Sequence, residues 1–186
     1  MPRLFVGLEL SPDTKRALAR AQDKLAAHGL SKLSWVDPEK LHLTLKFLGS
    51  VDEALLPVLT QNLKDACHGF PASSAVLSNL GCFPTRGQVR VVWAGLEQES
   101  PRPLADLAAR IDQALMSLGY QKEDRPFSPH ITLARARKPI ALDTRSIIDA
   151  AKLEAIAASW KLLSLFESKM SPTGSEYRVI ESFELS

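Results

Sequence analysis

Two segments of the chain carry the same four-residue pattern, and their side chains could move protons around a phosphate. The segments are His42-Leu43-Thr44-Leu45 and His130-Ile131-Thr132-Leu133. An imidazole changes its charge near neutral pH, so one histidine can take a proton from water while the other gives a proton to a leaving oxygen. The threonine hydroxyls can donate hydrogen bonds to an anionic group between them. The repeated pattern therefore indicates acid–base hydrolysis of a phosphate ester.

A single His-x-Thr triplet is usually structural, and the repetition is what favours a functional interpretation of His42 and His130. The other two histidines, His28 and His68, each stand beside a glycine after a predicted helix, and we expect them to be structural. Neither triplet has Cys, Asp or Glu at metal-ligand spacing, and threonine is a poor zinc ligand. We therefore expect an enzyme without a metal or other cofactor, although metal binding by the two histidines stays an alternative.

Strand geometry predicts which neighbours accompany the two histidines. Residues i and i+2 of a strand share a face, so Lys46 should join His42 and Thr44, and Phe47 should face the core. Arg135 should point away from His130, unless a bulge or strand end after Leu133 reverses it. Around the second triplet lies a basic cluster, which could equally be a solvated edge; it comprises Arg125, Arg135, Arg137 and Lys138.

The composition bounds the class of protein. The chain has 186 residues, of which 45% are hydrophobic and 24% charged, and its net charge is +2. These values are typical of one globular folding unit, here residues 1–186, and they leave room only for a small nucleic-acid contact. No apolar run approaches 18 residues and no leader pattern opens the chain, so we expect a cytoplasmic protein without a membrane span. We expect Cys67 and Cys82 to be reduced and structural, and the three tryptophans to fill the core (Trp35, Trp93 and Trp160).

Alternating helices and strands must position the triplets. Apolar periodicity and turn residues predict four helices, at 12–27, 52–67, 101–118 and 144–152, with Pro57 indicating a late start or a kink in the second. Strands are predicted at 3–10, 33–36, 41–48, 72–82, 89–96 and 130–135, followed by a hairpin of 160–170 and 177–185 across the turn 171–174.

Several predicted strands are joined by loops too short for a crossover helix, which favours antiparallel pairing in an α+β protein. His42 and His130 are separated by about half of the chain. We therefore expect two similar lobes that face each other across a cleft.

In these residues the chain resembles the two-histidine phosphoesterase superfamily, whose members carry two His-x-Thr/Ser-x motifs. More specifically, it resembles the bacterial and archaeal RNA 2′,3′-cyclic phosphodiesterases, also described as 2′-5′ RNA ligases. The segments that support this resemblance span nearly the whole chain; they are RLFVGLEL, LHLTLKFLG, VRVVWAGL, RPFSPHITLAR and LFESKMSPTGSEYRVIESFEL.

The resemblance implies a bilobal, pseudo-two-fold α+β fold of two mainly antiparallel sheets flanked by helices, with a central active-site groove. It implies that His42 donates a proton, that His130 accepts one, and that Thr44, Thr132 and Arg135 bind the substrate. The implied reaction opens an RNA terminal 2′,3′-cyclic phosphate to a 2′-phosphate without metal, with 2′-5′ RNA ligation as a possible reverse activity. The expected partners are RNA ends or cyclic nucleotides, with no membrane, and the expected state is a monomer.

Two other functions stay open at this point. The same chemistry could act on ADP-ribose cyclic phosphate or on a 2′-5′ linked oligonucleotide. The chain could instead be an inactive protein that binds RNA ends. Binding alone does not need two titratable imidazoles with hydroxyl partners, so the complete pair of triplets favours an enzyme.

Overall fold

A computed structural model describes residues 1–30, 33–97, 102–122, 126–140, 143–171 and 174–185. Arg125 lies outside these residues, and so do the side chains of Arg137 and Lys138. Within the described ranges the strands are β1 Arg3–Glu9, β2 Ser34–Trp35, β3 His42–Ser50, β4 Ser73–Phe83, β5 Val89–Leu96, β6 His130–Ile140, β7 Ile156–Trp160, β8 Leu162–Ser171 and β9 Gly174–Glu184. The α-helices in the same ranges are α1 Pro12–Leu25, α2 Leu56–Cys67, α3 Arg102–Leu115 and α4 Asp143–Ala150. None of these helices is both long and apolar enough to cross a membrane.

The strands pair antiparallel in the order β7-β4-β5-β6-β3-β1-β8-β9, and β2 pairs with β6 beside this path. The two histidine strands, β3 and β6, are neighbours at the centre, where one residue pair, Leu43 with Ile131, joins them. Strands β3, β1, β8 and β9 form the first lobe, and β6, β5, β4 and β7 form the second lobe, with β2 on the edge of β6. The α+β class and its two antiparallel halves are confirmed, and the two predicted sheets meet edge to edge at this seam.

Local sequence explains where the first two helices begin. The Ser11 side chain caps α1 by accepting from the Thr14 amide at 3.2 Å, and Pro12 stands in the first turn, where its missing N–H costs nothing. A short 3-10 turn, Glu53–Leu55, precedes α2. Pro57 therefore falls in the first turn of α2, which is the late start that its position in the sequence allowed.

Two helices cross from one lobe to the other. Helix α1 follows β1 of the first lobe but packs on β7 of the second, whereas α3 follows β5 of the second lobe and packs on β3 and α2 of the first. Helix α2 also contacts β9, and α4 contacts β4 and β5. Each lobe is therefore covered partly by a helix that the other lobe supplies.

The C-terminal hairpin forms as β8 and β9, although residues 172 and 173 of its predicted turn lie outside the described residues. The start of the hairpin was predicted wrongly, because Trp160 ends β7, which pairs with β4 in the second lobe. Only Lys161 separates β7 from β8. Strands β7 and β8 therefore form one continuous segment in the sequence, although they lie far apart in the strand order of the sheet.

Candidate active site

Both triplets line one groove of about 460 Å³ at the seam between the lobes. The structure places five predicted residues on this groove: His42, Thr44, His130, Thr132 and Arg135. The lining also includes side chains that were not predicted to lie at the site, namely Arg3, Phe5, Lys40, Phe47, Phe83, Ser168, Met170, Ser175 and Tyr177.

The two imidazoles are anchored in the same way. Nδ1 of His42 donates to the carbonyl of Lys40 at 2.7 Å, and Nδ1 of His130 donates to the carbonyl of Ser128 at 2.8 Å. Each acceptor lies two residues before the histidine, where the chain enters the strand. A neutral imidazole that donates from Nδ1 keeps a bare Nε2. Nε2 is therefore the nitrogen that can take up or deliver a proton in each half of the site.

Aromatic rings pack around both histidines. The ring of Phe5 lies 4.8 Å from that of His42, and Tyr177 meets His42 edge-on at 5.0 Å. On the other side, Phe83 meets His130 edge-on at 5.1 Å, and Trp93 lies 6.1 Å away. These contacts limit the orientations that each ring can take and remove much of its surface from water.

Burial lowers the pKa of His42 and of His130 below the ordinary value of 6.5. The backbone hydrogen bond at each Nδ1 opposes this effect, while the Arg135 guanidinium lowers the pKa of both imidazoles further. His130 and Lys15 also lower the pKa of His42. Both imidazoles are therefore mostly neutral near pH 7 when the groove is empty.

Permanent positive charge surrounds the imidazoles. Arg3, Lys40 and Arg135 line the groove, and none of its described lining residues is Asp or Glu. The Nζ of Lys40 donates to the carbonyl of Ser175 at 3.3 Å, which ties this charge to the β8–β9 hairpin. A groove with three cations and no carboxylate in its described lining attracts an anion.

A bulge in β6 brings Arg135 to the groove. Val92 and Trp93 are consecutive in β5, but their partners Ala134 and Thr132 are separated by Leu133, which is the extra residue. Leu133 and Ala134 are both fully buried, so the alternation shifts by one and Arg135 joins Thr132 on the groove side. Unbroken strand alternation predicted that Arg135 points away from His130. The bulge after Thr132 reverses that direction, as the prediction allowed.

A second bulge, at Leu45 of β3, corrects two predictions. Val6 and Gly7 of β1 pair with Lys46 and Thr44, so Leu45 is the extra residue. Beyond it Lys46 turns inward and is 5% exposed, whereas Phe47 turns outward and is 68% exposed at the groove. The predictions that Lys46 shares the His42 face and that Phe47 fills the core were wrong, because each assumed an unbroken strand.

Lys46 instead forms a buried ion pair. Its Nζ lies 2.5 Å from a carboxylate oxygen of Asp112 and donates to the carbonyl of Gln121 at 2.9 Å. The two side chains are 4% and 13% exposed. Lys46 therefore connects β3 to α3 and is unavailable to a phosphate in the groove.

The other described residues with a predicted role are not part of the groove lining. His28 and His68 are exposed, and His28 borders a separate cavity of about 840 Å³ between α1 and α4 that holds no triplet residue. Both cysteines are free and buried, and burial raises the pKa of the Cys67 thiol to about 11. Trp160 is fully buried, as predicted, while Trp35 and Trp93 are half-buried.

Four residues line the groove although the sequence did not predict them there: Phe47, Tyr177, Lys40 and Arg3. Tyr177 comes from a strand far along the chain, and no local pattern connects it with His42. Lys40 and Arg3 carried a weak signal, since each is a cation in or next to a segment that supports the resemblance. Among the described residues, no three His, Cys, Asp or Glu side chains lie together in a way that could hold a metal ion.

Comparison with known proteins identifies a family. The family model of LigT-like phosphoesterases matches residues 8–93 and 95–177. A protein of Methanothermobacter thermautotrophicus named RNA 2′,3′-cyclic phosphodiesterase is 30% identical over 98% of this chain and 98% of its own. A protein of Thermus thermophilus with the same name is 33% identical over 98% of this chain and 90% of its own.

Solved structures share the fold. The crystal structure of TT0787 from Thermus thermophilus superposes with a TM-score of 0.79 and 31% identity, covering 98% of this chain and 97% of that one. The crystal structure of Escherichia coli LigT with 3′-AMP has a TM-score of 0.78 at 24% identity and covers 100% and 98% of the two chains, which shows the fold alone. The family expected from the sequence is confirmed, and the chain belongs to the LigT-like phosphoesterases.

Proposed function

We propose that the groove hydrolyses the 2′,3′-cyclic phosphate at an RNA end to a 2′-phosphate. The observation that carries this proposal is the pair of imidazoles, each anchored through Nδ1, on one groove with three cations. The names of the relatives support the choice of substrate. The groove fits a phosphodiester because it offers two proton-transfer groups and positive charge to one anion.

In the proposed reaction His130 is the base and His42 is the acid. Nε2 of His130 takes a proton from a water molecule while the water oxygen bonds to phosphorus. The bond between phosphorus and the ribose 3′ oxygen breaks, and Nε2 of His42 protonates the departing 3′ oxygen. This order follows the resemblance of the two triplets to those of the two-histidine phosphoesterases, because the pKa of both imidazoles is lowered, chiefly by burial, and the pKa directions do not distinguish acid from base.

Thr44, Thr132 and Arg135 are the proposed phosphate-binding residues. The hydroxyls come from the two triplets, and the guanidinium reaches the groove through the β6 bulge. A hydrogen bond to a charged group is worth about 1.5–3 kcal/mol, so the loss of one such donor should slow the reaction by about 10- to 150-fold. Loss of either histidine should slow it more.

We propose that the reaction needs no metal, since the two imidazoles supply the acid and the base and the cations supply the positive charge.

The same displacement at phosphorus also allows ligation. A 5′-hydroxyl that replaces water would attack the phosphorus and leave a 2′-5′ linkage when the 3′ oxygen departs. We also propose that the protein acts as a single-domain monomer.

The test is hydrolysis of 2′,3′-cyclic mononucleotides and of an RNA oligonucleotide with a cyclic end, all in EDTA. We expect turnover that EDTA leaves undiminished and a product that is the 2′-phosphate by phosphorus NMR. ADP-ribose cyclic phosphate and a 2′-5′ linked dinucleotide belong in the same panel, because faster turnover of either would replace the RNA substrate.

Matched histidine variants locate the chemistry. His42→Ala and His130→Ala should lose nearly all turnover, whereas His28→Ala, which removes an exposed histidine away from the groove, should keep it. Tight binding of cyclic ends without turnover would indicate an inactive RNA-end binding protein. Activity that EDTA abolishes and zinc restores would contradict the metal-free mechanism.

A further inference from the structure

Gln22 is a buried polar side chain that the proposed chemistry does not use. It lies on α1 and is 5% exposed. Its Nε2 donates to the carbonyl of Leu133 at 2.9 Å and to the carbonyl of Val36 at 2.8 Å. Both hydrogens of the amide group are therefore donated to backbone carbonyls, which lie 14 and 111 residues away in sequence.

The acceptor Leu133 is the extra residue of the β6 bulge. Its carbonyl also accepts from the Val36 amide at 2.9 Å, so it takes part in two hydrogen bonds. A bulge interrupts the regular strand ladder, so the backbone groups of its extra residue need other partners. Gln22 and Val36 are partners of the Leu133 carbonyl, and Gln22 also donates to the carbonyl of Val36.

Arg135 follows this bulge by two residues. Its backbone lies between Ser34 of β2 and Val91 of β5 in the strand register. Its side chain reaches the groove only because Leu133 shifts the alternation. A change in the bulge would therefore move or turn the guanidinium relative to a bound phosphate.

The other lobe has a similar contact. Asp112 of α3 reaches Lys46, the residue that follows the β3 bulge. Gln22 and Asp112 are each the eleventh residue of a 14-residue helix, counted from Pro12 and from Arg102. Each crossing helix thus places one polar side chain on a histidine strand: Gln22 on the carbonyl of the extra residue itself, and Asp112 on the side chain of the residue that follows it. The recurrence at equivalent positions points to a role in holding the bulges.

We propose that Gln22 is a positioning residue that holds the β6 bulge and thereby places Arg135 against the substrate phosphate. This inference rests on the proposed function, because the value of the placement is measured on a phosphate ligand. It is distinct from a purely structural role, in which Gln22 would stabilise the fold and leave the activity of the folded protein unchanged.

The test is a double-mutant cycle between Gln22→Met and Arg135→Ala, with kcat and KM measured on a 2′,3′-cyclic nucleotide. Methionine keeps the shape of glutamine but cannot donate. Misplacement of a substrate-binding group by about 1 Å can cost up to about 100-fold, so we expect Gln22→Met alone to lower kcat/KM about 5- to 20-fold. In the Arg135→Ala background we expect a loss of less than about 2-fold, because the bulge then has no guanidinium to place and the two effects are not additive.

Thr14→Val is the matched control. Thr14 lies on the same helix, is 2% exposed, and donates from Oγ1 to the carbonyl of Ala157 at 3.1 Å, away from the groove. It should lower the unfolding midpoint and leave kcat/KM of the folded protein unchanged. If Gln22→Met does not fold, Gln22→Asn takes its place, since its shorter amide cannot reach both carbonyls together.

An equal loss from Gln22→Met in both backgrounds would overturn the proposal, and so would a change in the unfolding midpoint alone. Calorimetric binding of a nucleoside 2′-phosphate to the same four proteins gives a second readout. If the wild-type protein binds this product but does not hydrolyse cyclic ends, the proposed function fails while the binding cycle still decides the role of Gln22.

Discussion

The electrostatic environment of the two histidines differs between the free protein and its complex with substrate. Burial and the Arg135 guanidinium keep the pKa of both imidazoles low in the empty site. A phosphodiester brings a negative charge next to them, and a nearby opposite charge favours the protonated form. The substrate itself therefore promotes protonation of the acid.

This difference predicts how the pH profiles separate. Since kcat/KM reports the free enzyme, and the pKa of each imidazole lies below 6.5 there, the bell of kcat/KM should peak below pH 6.5. The bell of kcat reports the complex and should peak at higher pH. Full profiles of both constants, from acidic to mildly alkaline pH, check this, with His28→Ala as the control. A kcat/KM that rises steadily above pH 6.5 would contradict the lowered pKa values.

The assignment of acid and base is tested by a change of leaving group. Sulfur in place of the ribose 3′ oxygen departs without a proton, so it does not need the acid. We expect His42→Ala to recover most of its lost rate on this substrate, whereas His130→Ala should stay slow because water still needs its base. Proton transfer contributes about 10²- to 10⁴-fold per group, which sets the size of the recovery. Recovery by His130→Ala alone would show that the roles are reversed.

At the scale of single elements, the sequence predicts correctly which side chains of the two triplets face the groove. The alternation of His42, Thr44, His130 and Thr132 against buried leucine or isoleucine is a local property that the folded strands keep. The bulges at the fourth position depend on pairing with β1 and β5, which no local pattern encodes. Strand alternation therefore predicted the wrong direction for the side chains that follow the bulges, namely Lys46, Phe47 and Arg135. Only the resemblance to the family had assigned Arg135 to substrate binding.

The buried pair Lys46–Asp112 predicts an unusual pattern of stability changes. Asp112→Ala leaves the ammonium buried without its partner and should cost about 3–5 kcal/mol of unfolding free energy. Replacing both residues, as Lys46→Met with Asp112→Leu, should cost less than the single change, because no unpaired charge remains. Urea unfolding of the two variants measures this difference. Glu154→Gln, which removes the exposed partner of Lys24, should leave the midpoint unchanged.

At the scale of the whole molecule, the crossing helices make the two lobes depend on each other. Helix α1 contacts β7 of the second lobe and α3 contacts β3 of the first. If the first lobe unfolds, the second lobe loses α1, which covers part of its apolar surface. If the second lobe unfolds, the first lobe loses α3 in the same way. Loss of either lobe should therefore destabilise the other, and the groove between them.

We expect a single unfolding transition. Trp35, Trp93 and Trp160 lie in β2, β5 and β7 respectively, so tryptophan fluorescence reports on the second lobe and its edge, while far-ultraviolet circular dichroism reports on both lobes. The two signals should give coincident midpoints, with calorimetric and van't Hoff enthalpies that agree. Separate midpoints for the two signals would show that the lobes are independent domains.

The single residue pair between β3 and β6 gives the protein a weak line through its middle. Parting these strands breaks the contact between Leu43 and Ile131, whereas parting β1 from β3 breaks seven such pairs. Spreading along this line breaks fewer strand pairs than parting β1 from β3, and it moves the two histidine strands apart. Helices α1 and α3, which cross between the lobes, limit how far these strands can separate.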